Sequence, residues 1–237
     1  MTDDLGRPVG LPTTRPGGSV PLLPQVPREE PDADGVRTTD FEGLAIRWDP
    51  RVLEPRPWTA AQSTWAAKIA GQAPLGPLLE LCAGAGHIGL LAARLARRDL
   101  VQVDADPVAC DYARHNAAAA GITTEVRCGD LREAVRGERY PVVVADPPWV
   151  PSHDVGTFPL DPVTAIDGGP EGIDLALACL DVAADVLLPG GSVVIQVGGV
   201  HHLPGLNQHP AVLDGRLVFA EAREFERGLL AHLTAAD

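Results

Sequence analysis

Lysine is almost missing from this chain of 237 residues, in which Lys68 is the only one. Its 19 basic residues stand against 32 acidic ones, so the formal net charge at pH 7 is -13. Proteins hold phosphate backbones with clustered lysine and arginine side chains. The charge balance therefore disfavours naked DNA or RNA as a partner.

Long apolar runs are also missing, since no run approaches the roughly 20 residues of a membrane span. The start, M-T-D-D-L-G-R-P, has no basic segment followed by an apolar one, so we expect neither a secretory signal nor membrane insertion. No C-x-x-C pair occurs, which favours free thiols in the cytoplasm over disulfides or a metal site. The four cysteines are Cys82, Cys110, Cys128 and Cys179.

Proline and glycine are concentrated at the start, and residues 1–38 are predicted to form a flexible tail before one domain over 39–237. Phe41 to Trp48 is predicted to be an edge strand. Core packing is expected for Trp48 and Trp65. A helix is expected to begin at Thr59 or Ala60.

From Leu78 onward, short apolar strands alternate with helical segments, which predicts an α/β domain with a parallel sheet and helices on both faces. The last two predicted strands, 216–222 and 229–233, are too close for a crossover helix, so they should be antiparallel. Residues 150–170 are predicted to be a substrate loop without regular structure. Another loop holds His201, His202 and His209, whose spacing fits no trusted metal motif.

The run V-V-V-A-D-P-P-W (142–149) predicts a strand buried on both faces that ends where prolines cannot continue the ladder. Ligands of open α/β sheets bind beyond the carboxyl ends of the strands. Asp146 and Trp149 should therefore lie at a binding edge, where an acceptor carboxylate and a flat aromatic ring suit a planar group with N–H bonds. A plain proline turn with a packed tryptophan is the alternative.

A second pattern, L-E-L-C-A-G-A-G-H-I-G-L (79–90), follows the first strand of the alternation. Gly84 and Gly86 allow a tight turn and a close approach of backbone to ligand. Asp104 ends the next strand, where an acid typically accepts hydrogen bonds from ribose hydroxyls. Asp130, after the third strand, either meets an adenine amino group or caps the following helix, and both roles are compatible.

Together these patterns resemble the class I S-adenosylmethionine-dependent methyltransferases, and most closely the HemK/PrmC-type protein-glutamine methyltransferases. V-L-E-P-R-P-W-T (52–59) resembles that family's P-R-P-E-T segment, with Trp58 replacing the usual Glu. A-D-P-P-W-V-P (145–151) resembles N-P-P-Y-I/V-P. D-P-V-T-A-I-D-G-G-P-E-G-I-D-L (161–175) resembles E-P-x-x-A-L-x-G-G-x-D-G-L-D, the longest and most specific match.

The resemblance implies a Rossmann-like, seven-stranded, mostly parallel sheet of order 3-2-1-4-5-7-6 and S-adenosylmethionine as cofactor. It implies no metal. Cofactor contacts are expected from Glu80, Cys82, Ala83, Gly84, Gly86, Asp104, Ala105, Asp130, Leu131 and Asp146. Substrate contacts are expected from Arg56, Trp58, Thr59, Pro148 and His153. For catalysis, Asp146 and the Pro147 carbonyl should accept the two N–H bonds of the target nitrogen, while Trp149 stacks on its plane.

Two departures from the family bear on the methyl acceptor. Asp146 stands where the family has Asn, and a Pro-rich segment stands where the family's N-terminal helical domain would be expected. A protein glutamine remains the first expectation, with an exocyclic amine of an RNA base second and a small metabolite third. A non-catalytic cofactor-binding scaffold and an NAD-dependent dehydrogenase are alternatives of other classes. The oligomeric state is left open.

Overall fold

The computed structural model describes residue 32 and residues 35–236. Its first element is a hairpin of β1 (Arg37–Phe41) and β2 (Leu44–Trp48), which forms a separate two-stranded sheet. The single edge strand expected over 41–48 was therefore wrong. The chain reverses because Glu42 and Gly43 both take positive φ angles, 52° and 79°. The predicted tail lies mostly outside the described residues, and its last two residues belong to β1.

The other elements alternate as the sequence predicts, and their bounds are as follows. Helices are α1 (Ala60–Ala70), α2 (His87–Ala96), α3 (Pro107–Ala120), α4 (Leu131–Ala134), α5 (Val163–Ile166), α6 (Asp174–Val186), α7 (Leu203–Asn207) and α8 (Pro210–Leu213). Strands are β3 (Leu78–Leu81), β4 (Leu100–Asp104), β5 (Thr124–Cys128), β6 (Tyr140–Ala145), β7 (Leu187–Val197), β8 (Leu217–Phe225) and β9 (Gly228–Ala235).

These seven strands form one sheet in the order β5-β4-β3-β6-β7-β9-β8. Strands β3 to β7 are parallel to one another, and β9 is antiparallel to both β7 and β8. Counted from β3, this is the order 3-2-1-4-5-7-6, so the predicted Rossmann-like topology and its C-terminal antiparallel hairpin are confirmed.

Strand β6 lies at the centre of the sheet, and all six of its residues are buried. Val142 and Val144 pack into the core under α1, α2 and α3, while Val143 and Ala145 pack into the core under α6. This alternation confirms that the strand is covered on both faces. Trp48 and Trp65 are buried in the first of these cores, as expected.

Two segments expected to be loops have regular structure. Residues 150–170 contain a short 3-10 helix and α5, and Val150 bridges to Asp167. The segment after β7 folds into a 3-10 helix followed by α7 and α8. The predictions failed because these elements are too short to show a helical period. Within the described part of the chain, no helix has the length and apolar character needed to cross a bilayer.

Candidate active site

A cavity of about 610 Å³ opens at the carboxyl ends of β3, β4, β5 and β6. This is the edge at which ligands of parallel α/β sheets bind, and the volume suits a small organic ligand. Residues of the lining that the sequence predicted are Cys82, Ala83, Gly84, Asp104, Ala105, Asp130, Leu131, Asp146 and Pro148. The structure therefore brings together most of the predicted cofactor residues.

The turn between β3 and α2 forms one wall of the cavity. Gly84 and Gly86 have φ angles of 54° and 83°, a region that side chains disfavour. A Cβ atom at Gly86 would also lie 2.7 Å from the Gln102 amide nitrogen. Gly86 is therefore required for packing against β4, and it supports the wall without lining the cavity.

Glu80 lies beneath this turn and outside the cavity lining, so its predicted contact with the cofactor stays a prediction. It is buried, and its two carboxyl oxygens accept hydrogen bonds from Gly89 N at 2.8 Å and Gln102 Nε2 at 2.6 Å. Burial raises its pKa to about 8. Glu80 thus fixes the start of α2 to β4.

Asp104 places its carboxyl group in the cavity wall at the end of β4. It accepts hydrogen bonds from Gly84 N at 2.7 Å and from Asp106 N at 2.9 Å, and burial raises its pKa. Asp130 caps α4 by accepting from the amides of Arg132 and Glu133, and it lines the cavity as well. The capping role is confirmed, and the contact with an adenine amino group stays a prediction.

Asp146 follows the last residue of β6 and lines the cavity. Among residues 32 and 35–236, none donates a hydrogen bond to its carboxyl group. Burial raises the pKa of Asp146 to about 7. A carboxyl group held at a cavity wall without a protein partner is available to a ligand.

Pro147 and Trp149 flank the cavity without lining it. Trp149 is half-buried, and its ring lies against the backbone at the end of β7: a Cβ atom at Gly198 would lie 2.8 Å from Trp149 Cε3. The predicted stacking of Trp149 on a substrate stays a prediction.

The 161–175 segment builds the wall that supports the D-P-P-W turn. Gly168 N donates to Val150 O at 2.8 Å, and Val150 N donates to Ile166 O at 2.9 Å. A Cβ atom at Gly168 would lie 2.7 Å from the Pro148 carbonyl oxygen, and one at Gly172 would lie 2.5 Å from that of Trp149. The glycines of this segment are thus needed because two backbones meet closely.

The predicted substrate residues of the 52–59 segment are held by contacts within the protein. Arg56 donates to Asp161 at 2.7 Å, which ties this segment to the 161–175 segment. Trp58 contacts the guanidinium groups of Arg56 and Arg227 at 5.7 and 4.9 Å. Thr59 is buried and donates to the Arg56 carbonyl at 2.8 Å. None of the three predicted residues, Arg56, Trp58 and Thr59, lines the cavity.

The histidines lie in three environments: on the surface, in the buried interior and in the cavity lining. His153 is exposed beside Asp154 and lies outside the lining. His202 and His209 are buried, and each accepts a backbone N–H on one ring nitrogen. No group of three or more His, Cys, Asp or Glu residues able to hold a metal occurs in the part that the structure describes.

Sequence reasoning missed His87, which lines the cavity directly after the glycine turn. Its Nε2 lies 3.3 Å from Thr59 Oγ1, and burial lowers its pKa to about 3, so the ring stays neutral at physiological pH. The sequence could have identified His87 as a site residue, because in G-A-G-H it is the first residue of a helix that begins at a ligand-binding edge.

Comparison with known proteins agrees with this geometry. Residues 68–158 match the family described as "Methyltransferase small domain". Over 166 residues, 67% of this chain and 59% of the relative, the chain is 31% identical to a protein of Moorella thermoacetica named release factor glutamine methyltransferase. It is 28% identical over 169 residues, 67% of this chain and 53% of the relative, to a Francisella tularensis protein named ribosomal protein uL3 glutamine methyltransferase.

Over the matched residues, the chain is similar to the HemK/PrmC-like class I methyltransferases. The fold agrees: a solved methyltransferase from Pyrococcus furiosus superposes with a TM-score of 0.60 at 17% identity, covering 81% of this chain and 89% of that one. The chain spans about three fifths of the length of the first curated relatives it matches.

Proposed function

We propose that this HemK/PrmC-like chain is an S-adenosylmethionine-dependent N-methyltransferase whose acceptor is a planar amide nitrogen, most simply that of a protein glutamine side chain. The observation that carries the proposal is the Asp146 carboxyl group, which lines the cavity beside the glycine turn without a described protein partner. This arrangement leaves a hydrogen-bond acceptor for a substrate N–H next to a cofactor-sized space.

The charges of the cavity fit a cationic cofactor. In the described lining, the side chains of Asp104, Asp106, Asp130 and Asp146 are acidic, Arg51 carries a positive charge, and His87 is neutral at physiological pH. Burial raises the pKa of both Asp104 and Asp146, as expected where carboxylates are removed from water without a neutralising cation. A sulfonium group relieves this cost, whereas the pyrophosphate of NAD increases it. The site thus favours S-adenosylmethionine over a dinucleotide.

When bound, S-adenosylmethionine supplies an electrophilic methyl group. The residues of this chain then act on the acceptor nitrogen, whose lone pair is delocalised in a planar amide. The Asp146 carboxylate and the Pro147 carbonyl accept its two N–H bonds, which favours a pyramidal, positively charged nitrogen over the planar ground state. Trp149 limits the tilt of the amide plane, and the turn backbone, stiffened by Pro147 and Pro148, keeps both acceptors in place.

A protein acceptor is supported by three further observations. The relatives in Moorella thermoacetica and Francisella tularensis are named for glutamine methylation of a release factor and of ribosomal protein uL3. The 161–175 segment, which carries the most specific resemblance to that family, packs directly against the backbone of Trp149. The net charge of -13 favours a protein over a free nucleic acid.

Two experiments test the proposal. Calorimetry with S-adenosylmethionine and NAD should show binding of the first alone. Incubation with methyl-labelled cofactor in a lysate separated into protein, RNA and small molecules should place the label on protein, at a glutamine side chain. Label on RNA would instead support an exocyclic amine of a base, label on small molecules a metabolite, and cofactor binding without transfer a scaffold.

A further inference from the structure

Gln62 connects α1 to the strand that carries Asp146. Its side chain is fully buried, and its amide nitrogen donates two hydrogen bonds, to Ala145 O at 2.8 Å and to Val194 O at 3.1 Å. These acceptors belong to the neighbouring parallel strands β6 and β7. Because both N–H groups point to carbonyl oxygens, the orientation of the amide is fixed.

The position of the first acceptor matters because Ala145 is the last residue of β6 and directly precedes Asp146. The next two residues are prolines, which have no N–H group with which to extend the ladder. The strand therefore ends where Asp146 begins, and Gln62 holds its last carbonyl from the helical layer. Any rotation of the 145–146 peptide would change the direction of the Asp146 side chain.

Gln62 has a cost to the fold. Its Oε1 atom is buried and has no hydrogen-bond partner in the described structure. A buried acceptor without a partner destabilises the folded state. Methionine, an unbranched side chain of similar size, would avoid that cost but would also remove the two hydrogen bonds that Gln62 donates to β6 and β7, so the two effects on stability oppose each other.

We propose that Gln62 is a positioning residue, which holds the Ala145 carbonyl so that Asp146 and the Pro147 carbonyl face the acceptor nitrogen together. This inference rests on the proposed methyl transfer. It assigns Gln62 no contact with cofactor or acceptor, since Gln62 does not line the cavity. Gln62 acts on Asp146 through the peptide bond that joins Ala145 to Asp146.

The test compares Gln62→Met with Ser63→Ala. Ser63 is the next residue of α1, is equally buried, and donates to Ile88 O at 2.8 Å, so it controls for the packing of α1 without contacting β6. A displacement of about 1 Å at a reacting group reduces rate by roughly 100-fold. We expect Gln62→Met to lower kcat about 10- to 100-fold with an unchanged Kd for S-adenosylhomocysteine. Ser63→Ala should keep kcat within about twofold.

A merely structural role predicts an unchanged kcat of the folded protein for Gln62→Met, whatever its Tm, and that result would overturn the inference. Gln62→Leu serves as a second variant if the methionine variant does not fold. A separate readout is the ¹³C titration of the Asp146 carboxyl group, whose midpoint should move in Gln62→Met and stay in Ser63→Ala. If the wild-type protein transfers no methyl group, the proposed function fails, and this titration alone decides the positioning role.

Discussion

Replacing Asp146 with Asn should stabilise the protein at pH 8 and have little effect near pH 4. Burial raises the pKa of Asp146 from 3.8 to about 7. Between these values the folded protein keeps a proton that the unfolded chain has lost, so the free energy of unfolding falls as pH rises and levels off above pH 7. Each unit of pKa corresponds to about 1.4 kcal/mol, so the full effect is at most roughly 4 kcal/mol. Because Asn carries no charge, the variant does not lose this free energy of unfolding as the pH rises.

Urea unfolding of wild type and Asp146→Asn at several values between pH 4 and pH 8.5 measures the effect. Glu80 contributes a slope of the same sign in both proteins, so the difference between them reports Asp146. Asp214→Asn is the control, because Arg216 holds the pKa of Asp214 below its usual value and the expected effect has the opposite sign. Parallel curves for wild type and Asp146→Asn would refute the assignment of a buried, unpaired carboxyl group.

Three further predictions concern the reaction. Asp146→Ala should retain affinity for S-adenosylhomocysteine and lose about 10²–10³ in turnover, by analogy with a lost preorganised donor, and calorimetry with single-turnover rates measures both. Unchanged turnover would exclude the role. The affinity for S-adenosylmethionine, divided by that for the product with its uncharged sulfur, should rise up to about tenfold from pH 6 to pH 8, because the ionised fraction of Asp146 rises. A ratio that does not change with pH would show that Asp146 does not interact with the sulfonium group. Gly198→Ala should displace Trp149 and raise the KM for the acceptor about tenfold. The control is Gly199→Ala, whose added methyl group meets only the exposed ring of His201 and should leave KM unchanged. Equal effects of the two variants would show that Trp149 does not contribute to acceptor binding.

The sequence predicted the sheet well because its signals are local. The bounds of β4 and α3 match residue for residue, since Asp106 caps the helix, Pro107 begins it and Gly121 ends it in a left-handed conformation. The order of the strands follows from the resemblance and from the short connection between the last two strands. Local pattern and burial thus suffice for the framework and for the edge at which the site lies.

Contacts between distant segments were not predictable in this way. The support of the D-P-P-W turn by the 161–175 segment depends on long-range backbone hydrogen bonds, such as that from Gly168 N to Val150 O, which leave no period in the sequence. Glu80 was assigned to the cofactor because it lies near the glycines, and its burial beside Gln102 could not be predicted from the sequence. The role of Gln62 could not be predicted either, because it depends on the position of α1 over β6.

The decisive measurement is a structure with S-adenosylhomocysteine and a glutamine-containing peptide bound. We expect the glutamine amide nitrogen to lie within about 3 Å of both an Asp146 carboxyl oxygen and the Pro147 carbonyl oxygen, facing the sulfur atom. An amide nitrogen that contacts neither oxygen, or a peptide bound away from the cavity beside the glycine turn, would contradict it.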